Sequence, residues 1–368
     1  MHRIHSLLLP AVALLLGLPA TPCAAQTLDQ MAGQMIIVGF TGDDASDASV
    51  KALATEIGAG TLGGVMYLKT NVKSLSAVTA MNREFRAASP DLPPFLTLDQ
   101  EGGAVERLTK DVGFAEMPNA QTIAESDTPA QAQAAYLKMA QGIAALGFTV
   151  NFAPVADLNI NPNNQIIAKY GRSFGKSAAT VAEYDESFVA AHHAAGLLTA
   201  LKHFPGHGSS TGDTHKGFVD ISKTWKPVEL EPYKTLFADG YSDFVMVGHL
   251  YHSGYGDEGP LKLPASLSGN WIGTVLRGQL GFTGVVISDD LEMGAIRDEF
   301  DLHDTVVRAV NAGVDVLLFS NTAAYSAGLA DKIRAILVAE ANGDPAFKAK
   351  IAASYARIVL LKGRIGKL

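Results

Sequence analysis

The segment Lys202-His203-Phe204-Pro205-Gly206-His207-Gly208-Ser209-Ser210-Thr211-Gly212-Asp213-Thr214-His215 ends an apolar run with two basic side chains, then carries an Asp-x-His pair across a Gly-rich loop. Packing alone asks for none of this. Lys202 and His203 at a strand end can grip a polar ligand. An aspartate two residues before a histidine can orient the imidazole and raise its basicity, which makes Asp213 with His215 a candidate proton shuttle.

Such side chains need elements to hold them. Past residue 30, eight short apolar runs recur, mostly at intervals long enough for a helix: 35–40, 62–68, 95–99, 149–155, 199–204, 244–250, 285–289 and 314–320. Gly284-Val285-Val286-Ile287 and Val316-Leu317-Leu318-Phe319 are apolar on both faces, as strands of a helix-covered parallel sheet are. Between the runs fall helix-like segments such as 178–195, and an Ala- and Gln-rich stretch to Ala145 that opens with Thr128 as N-cap and Pro129 at the first helical position. Eight β-then-α units predict an α/β fold, a single (β/α)8 TIM-type barrel with its active site at the carboxyl ends of the strands. A doubly wound open sheet is the alternative. No Pro/Ser-rich linker divides the chain, and the 48 residues after Ser320 suffice for closing helices but not for a second domain.

The expected strand ends are polar. The third carries Asp99-Gln100-Glu101-Gly102-Gly103 with Arg107 soon after. The fourth leads through Asn151, Asp157 and Asn159 toward Tyr170-Gly171-Arg172-Ser173-Phe174-Gly175, and the fifth ends in Lys202-His203. The sixth ends in Gly248-His249, the seventh in Ser288-Asp289-Asp290 and the eighth in Ser320-Asn321. Carboxylates at Asp99 and Asp289 with cations at Arg107, Arg172 and Lys202 suit a ligand with several hydroxyl groups, as a sugar has. A carboxylate at a buried strand end can also attack an anomeric carbon, provided that a second group protonates the leaving oxygen. His215 supplies a candidate for that group.

The motifs Lys202 to Gly208, Asp213-Thr214-His215, Asp99 to Gly103 and Ser288-Asp289-Asp290-Leu291-Glu292-Met293 closely resemble glycoside hydrolase family 3, in its bacterial β-N-acetylglucosaminidase branch. The resemblance runs from about Met31 to Ala323 with four motifs in order. It implies a retaining mechanism with Asp289 as nucleophile and a terminal, non-reducing N-acetylglucosamine as the group released from peptidoglycan fragments or chitooligosaccharides. It further implies that His215, paired with Asp213 on a loop, replaces a carboxylic acid as general acid/base. Asp99, Arg107, Arg172, Lys202 and His203 would bind the terminal sugar. Ala104 stands where many relatives have Arg, so the resemblance does not carry over the contact of that Arg, while Asp99 and Arg107 are untouched.

Composition sets the surroundings. The chain of 368 residues is 48% hydrophobic and 18% charged with a formal net charge of -8, a soluble globular balance without the basic face that nucleic acid requires. The first 25 residues carry Arg3, an apolar run from Leu7 to Leu18 and Cys23-Ala24-Ala25 before Gln26, which reads as a secretory signal peptide cut after Ala25. Lipid attachment at Cys23 is the alternative, and Thr21-Pro22 fits it poorly. The expected organisation is a signal peptide over 1–25 and one catalytic barrel over 26–368, periplasmic or secreted, monomeric, with a carbohydrate as its partner, no membrane span and no cofactor. Cys23 is the only cysteine, so no disulfide or thiolate metal site can form within the mature chain.

Competing readings remain at single residues. One of Asp289 and Asp290 can cap the turn after the strand, and the resemblance assigns that to Asp290. His203, His207 and His215 are alternative zinc ligands, but Pro205 and Gly206 disfavour the helix that His-x-x-x-His spacing needs. His207 reads as a loop-ordering residue, and His249 and His252 as either structural or ligand-contacting. Trp225 and Trp271 lie outside the matched motifs and read as packing or outer-rim residues. Competing functions are a β-glucosidase or β-xylosidase, an N-acetylglucosaminide phosphorylase of the same fold, and a secreted sugar-binding barrel without catalysis.

Overall fold

The computed structural model describes residues 26–256 and 259–368. The signal-peptide expectation for residues 1–25 lies outside them. Eight strands, β1 (Ile36–Gly39), β2 (Gly64–Met66), β3 (Phe95–Leu98), β4 (Val150–Asn151), β5 (Leu198–Phe204), β6 (Phe244–Val247), β7 (Val285–Ser288) and β8 (Leu317–Phe319), form one parallel sheet in the order β8-β1-β2-β3-β4-β5-β6-β7. A parallel bridge between Ile287 and Val316 brings β7 against β8, and the ring is a nearly closed (β/α)8 barrel. Every residue of the eight strands is buried, because the lumen covers one face and helices cover the other. This excludes the open doubly wound sheet.

The intervening helices follow their sequence signals. Thr128 caps helix Pro129–Ala145 in a capping box with Gln131, with Pro129 in the first turn, and Ala178–Ala194 forms the helix before β5. After β8, Leu329–Gly343 and Pro345–Lys362 close the barrel.

Two apolar runs are shorter as strands than their sequence suggests. The run 149–155 pairs only at Val150–Asn151, because Pro154 offers no N–H to the ladder and the chain rejoins it only by a bridge from Val155 to Lys202. The run 244–250 splits. Gly248 N–H still donates to Phe204 O, but Leu250–Tyr251 has left the barrel and pairs with Val219–Asp220 in a separate two-stranded ribbon. That ribbon begins four residues after His215.

Candidate active site

Asp99 and Glu101 stand two residues apart at the top of β3, and Lys202 near the end of β5 lies between their carboxylates. Its Nζ is 2.9 Å from Asp99 Oδ1 and 2.6 Å from Glu101 Oε1, with only 2% of the side chain exposed. Arg107 donates to the other oxygen of Asp99 at 2.9 Å. Arg172 grips Glu101 with two parallel bonds, Nε to Oε2 at 2.8 Å and Nη2 to Oε1 at 2.7 Å. Burial pushes both carboxyls up, and the cations more than reverse it: Lys202 and Arg107 hold Asp99 low, and Arg172 and Lys202 hold Glu101 far below its ordinary range. Gln100 secures the frame. Its Oε1 accepts from Arg107 N and Leu108 N, and Asn151 on β4 brackets its own backbone.

His203 and His207 are held by Asp157, which is fully buried. The His203 Nδ1–H donates to Asp157 Oδ2 at 2.7 Å and the His207 backbone N–H to Oδ1 at 2.6 Å. The loop that follows β5 is pressed onto its neighbours. A Cβ at Gly208 would stand 1.8 Å from Leu158 O, so only glycine fits there. Asn164 latches the loop by donating to His207 O at 2.8 Å, and Trp225 Nε1 donates to Pro205 O at 2.9 Å. His207 Nδ1 contacts Ser210 Oγ at 2.6 Å; burial keeps this imidazole neutral, with a pKa of about 4.

Past β7, Asp289 and Asp290 divide. Asp290 accepts from Glu292 N at 3.1 Å and Ser320 N at 2.8 Å, so it caps the turn and ties β7 to the end of β8. Asp289 accepts from Asp290 N at 2.8 Å. Burial raises its carboxyl, but His203, His249, His215 and that N–H together bring it down to about 2, so it is ionised at neutral pH. On the 213–217 loop, His215 Nδ1–H donates to Asp213 Oδ1 at 2.9 Å. The histidine is 62% exposed, and Nε2 is left free. The loop rests on the short helix Gly294–Arg297, whose Gly294 and Ala295 N–H groups donate to His215 O and Thr214 O.

Asp99, Arg107, Arg172, Lys202, His203, His215 and Asp289 line one cavity of about 470 Å³ at the carboxyl ends of the strands, with Met66, Met246 and Leu318 as apolar wall. Asp213 stands behind His215. Arg172 is at the wall as expected, but two of its three nitrogens are committed to Glu101. Glu101 and Asp157 were named in sequence without a role. The Asp99-x-Glu101 spacing is a usable signal for a shared cation, whereas nothing near Asp157 in sequence points to His203. His249 has both ring nitrogens engaged, with Ser266 Oγ and Asp290 O, and is structural. Trp225 and Trp271 are buried against one another at 5.3 Å, which excludes the outer-rim alternative. Among the described residues no group of three or more His, Cys, Asp or Glu could hold a metal ion, and no helix is long and apolar enough to cross a membrane.

A barrel with charged hydrogen-bonding groups around one pocket at its strand ends suits a ligand with several hydroxyl groups, such as a carbohydrate. The family model described as the glycosyl hydrolase family 3 N terminal domain matches residues 27–361, and the chain belongs to that family. It is 34% identical over 296 residues to a protein named beta-hexosaminidase from Xylella fastidiosa (strain 9a5c), covering 77% of this chain and 82% of that protein. Among solved structures, a glycoside hydrolase family 3 beta-N-acetylglucosaminidase from Paenibacillus sp. str. FPU-7 superposes with a TM-score of 0.82 at 32% identity, over 92% of this chain and 63% of that one. The present chain thus spans less than two thirds of that enzyme. A beta-N-acetylhexosaminidase from Beutenbergia cavernae DSM 12333 gives a TM-score of 0.80 at 29% identity, over 92% of this chain and 99% of that one.

Proposed function

We propose that this protein is a retaining exo-β-N-acetylglucosaminidase that releases terminal non-reducing N-acetylglucosamine from peptidoglycan fragments or chitooligosaccharides. The observation that carries the reading is the shared cavity: an ionised Asp289 at the end of β7 and a His215 backed by Asp213, facing a cluster of charged hydrogen-bonding groups. The names of the family relatives supply the sugar. Asp99, Arg107, Arg172, Lys202 and His203 hold its hydroxyl groups by charge-assisted bonds.

In the first step an Asp289 oxygen attacks the anomeric carbon as its bond to the leaving oxygen breaks, and His215 Nε2–H protonates that oxygen. In the second, His215 Nε2 takes a proton from water, the water oxygen attacks the anomeric carbon, and the Asp289 carboxylate departs. Asp213 fixes the imidazole so that Nε2 handles the proton in both steps. The neutral histidine left after the first step repels an anion less than a carboxylate would, which keeps phosphorolysis as a second reading. A sugar 1-phosphate formed in phosphate buffer would reveal it. The apolar run and the Cys23-Ala24-Ala25 site support export and cleavage after Ala25.

Asp289→Ala is expected to remove nearly all turnover, and a variant of near-normal rate refutes its role as nucleophile. His215→Ala should slow aryl N-acetylglucosaminides with poor leaving groups by about 10²–10⁴-fold and activated ones much less, since an activated leaving group needs no proton. Equal losses would argue against His215 as the acid. Matching rates on the aryl β-glucoside would overturn the substrate assignment.

A further inference from the structure

We propose that Gly294 is a positioning residue for the proton-transfer loop, required because it has no side chain. The inference rests on the reading of His215 as the general acid/base and adds the surface against which that loop is placed.

His215 is largely exposed and Lys216 beside it is 81% exposed, so of residues 213–217 only Thr214 is buried and side-chain packing gives the loop a single anchor. Its ends are glycines. Gly212 precedes Asp213, and Gly217, at φ +150 with nothing near its missing Cβ, follows Lys216. What holds the loop from outside is the start of helix Gly294–Arg297, five residues beyond Asp289. The first N–H groups of a helix have no partner within it. Here the Gly294 N–H donates to His215 O at 3.3 Å and the Ala295 N–H to Thr214 O at 3.1 Å. The loop carbonyls therefore complete the helix, and the helix sets the loop against the strand that carries Asp289.

This contact needs an empty position at 294. A Cβ there would stand 2.9 Å from His215 O, 3.0 Å from Gly217 N and 3.0 Å from Lys216 C. All three are backbone atoms of the loop, so no rotamer change can make room. Gly294 sits in ordinary right-handed helix, where alanine is the better helix former. A substitution thus leaves the helix intact and displaces the loop, moving His215 away from the oxygen it protonates. A shift of about 1 Å in a reacting group can cost on the order of 100-fold.

The test compares Gly294→Ala, Gly294→Val and His215→Ala on phenyl and 2,4-dinitrophenyl N-acetyl-β-glucosaminide, with and without azide. Azide attacks the anomeric carbon of the glycosyl-enzyme and expels Asp289 without any proton transfer. Gly294→Ala should lose about tenfold and Gly294→Val about 100-fold on the phenyl substrate, with smaller losses on the dinitrophenyl one. Azide should restore dinitrophenyl turnover in all three variants as the β-glycosyl azide forms. If His215→Ala follows this pattern while the Gly294 variants are unchanged, or lose both substrates equally without rescue, Gly294 has no positioning role. If His215→Ala itself shows no dependence on leaving group, the proposed function falls first. Hydrogen exchange on the unmodified enzyme is independent of variant folding: the Gly294 and Ala295 amides should be protected, and exchange at unprotected rates overturns the docking.

Discussion

Lys202 and Arg107 both bond to Asp99, yet they do different things. Lys202 is buried between two carboxylates, so its removal leaves Asp99 and Glu101 without their shared cation in a place that water reaches poorly. Lys202→Ala is expected to destabilise the fold by about 3–5 kcal/mol, measured by denaturant unfolding. Arg107 is 22% exposed at the pocket edge and touches only one of the two acids. Arg107→Ala should raise KM about tenfold to 100-fold with little change in melting temperature, as expected for the loss of a charge-assisted bond to substrate. A drop in melting temperature as large as that of Lys202→Ala would show Arg107 to be structural. The residue types at this site were legible in sequence. That Arg172 spends its fork on Glu101 was not, because the two lie 71 positions apart and meet only where β3 and the long loop after β4 converge.

The loop after β5 is shaped by an acid on a different element. Glu229 is buried beneath it, accepting from Ser209 N at 3.2 Å and Lys226 N at 3.4 Å, with Asp157 nearby. Burial pushes its carboxyl up to about 8, and the Asp157 charge adds to this. A raised acid pKa stabilises the fold fully below the unfolded value of 4.5, and that stability is lost as pH rises to 8. Glu229→Gln, which stays neutral, should therefore gain on the unmodified protein between pH 4.5 and 8, by on the order of 2 kcal/mol in unfolding experiments. A difference that does not change with pH would mean that Glu229 is ionised in the fold. Most element boundaries were readable from apolar runs, glycines and the Thr128 cap. The split of the run 244–250 was not, because both halves are equally apolar and only the ribbon partner at Val219–Asp220 separates them.

The whole molecule divides chemistry from stability along the barrel axis, with the pocket at the carboxyl ends of the strands and the closing helix at the other side. At the end of helix Pro345–Lys362, the buried Lys362 donates to Gln34 Oε1 at 2.7 Å and Gly63 O at 2.8 Å, joining this helix to helix Leu28–Gln34 and to the start of β2. Lys362→Ala should cost about 2–4 kcal/mol by leaving both acceptors and a cavity behind, while kcat of the folded enzyme stays unchanged. A fall in kcat would connect this end to the site. The sequence by itself narrowed the fold to a (β/α)8 barrel or an open doubly wound sheet and supplied the family resemblance and the chemical types at each strand end, because eight apolar runs at helix-length intervals admit few other folds and the motifs carry their own spacing. Only the tertiary structure decided which charges cancel one another, which cation Glu101 shares with Asp99, and where the His215 loop rests. Those are contacts between segments tens to a hundred residues apart, and hydrophobic period and local propensity hold no information about them.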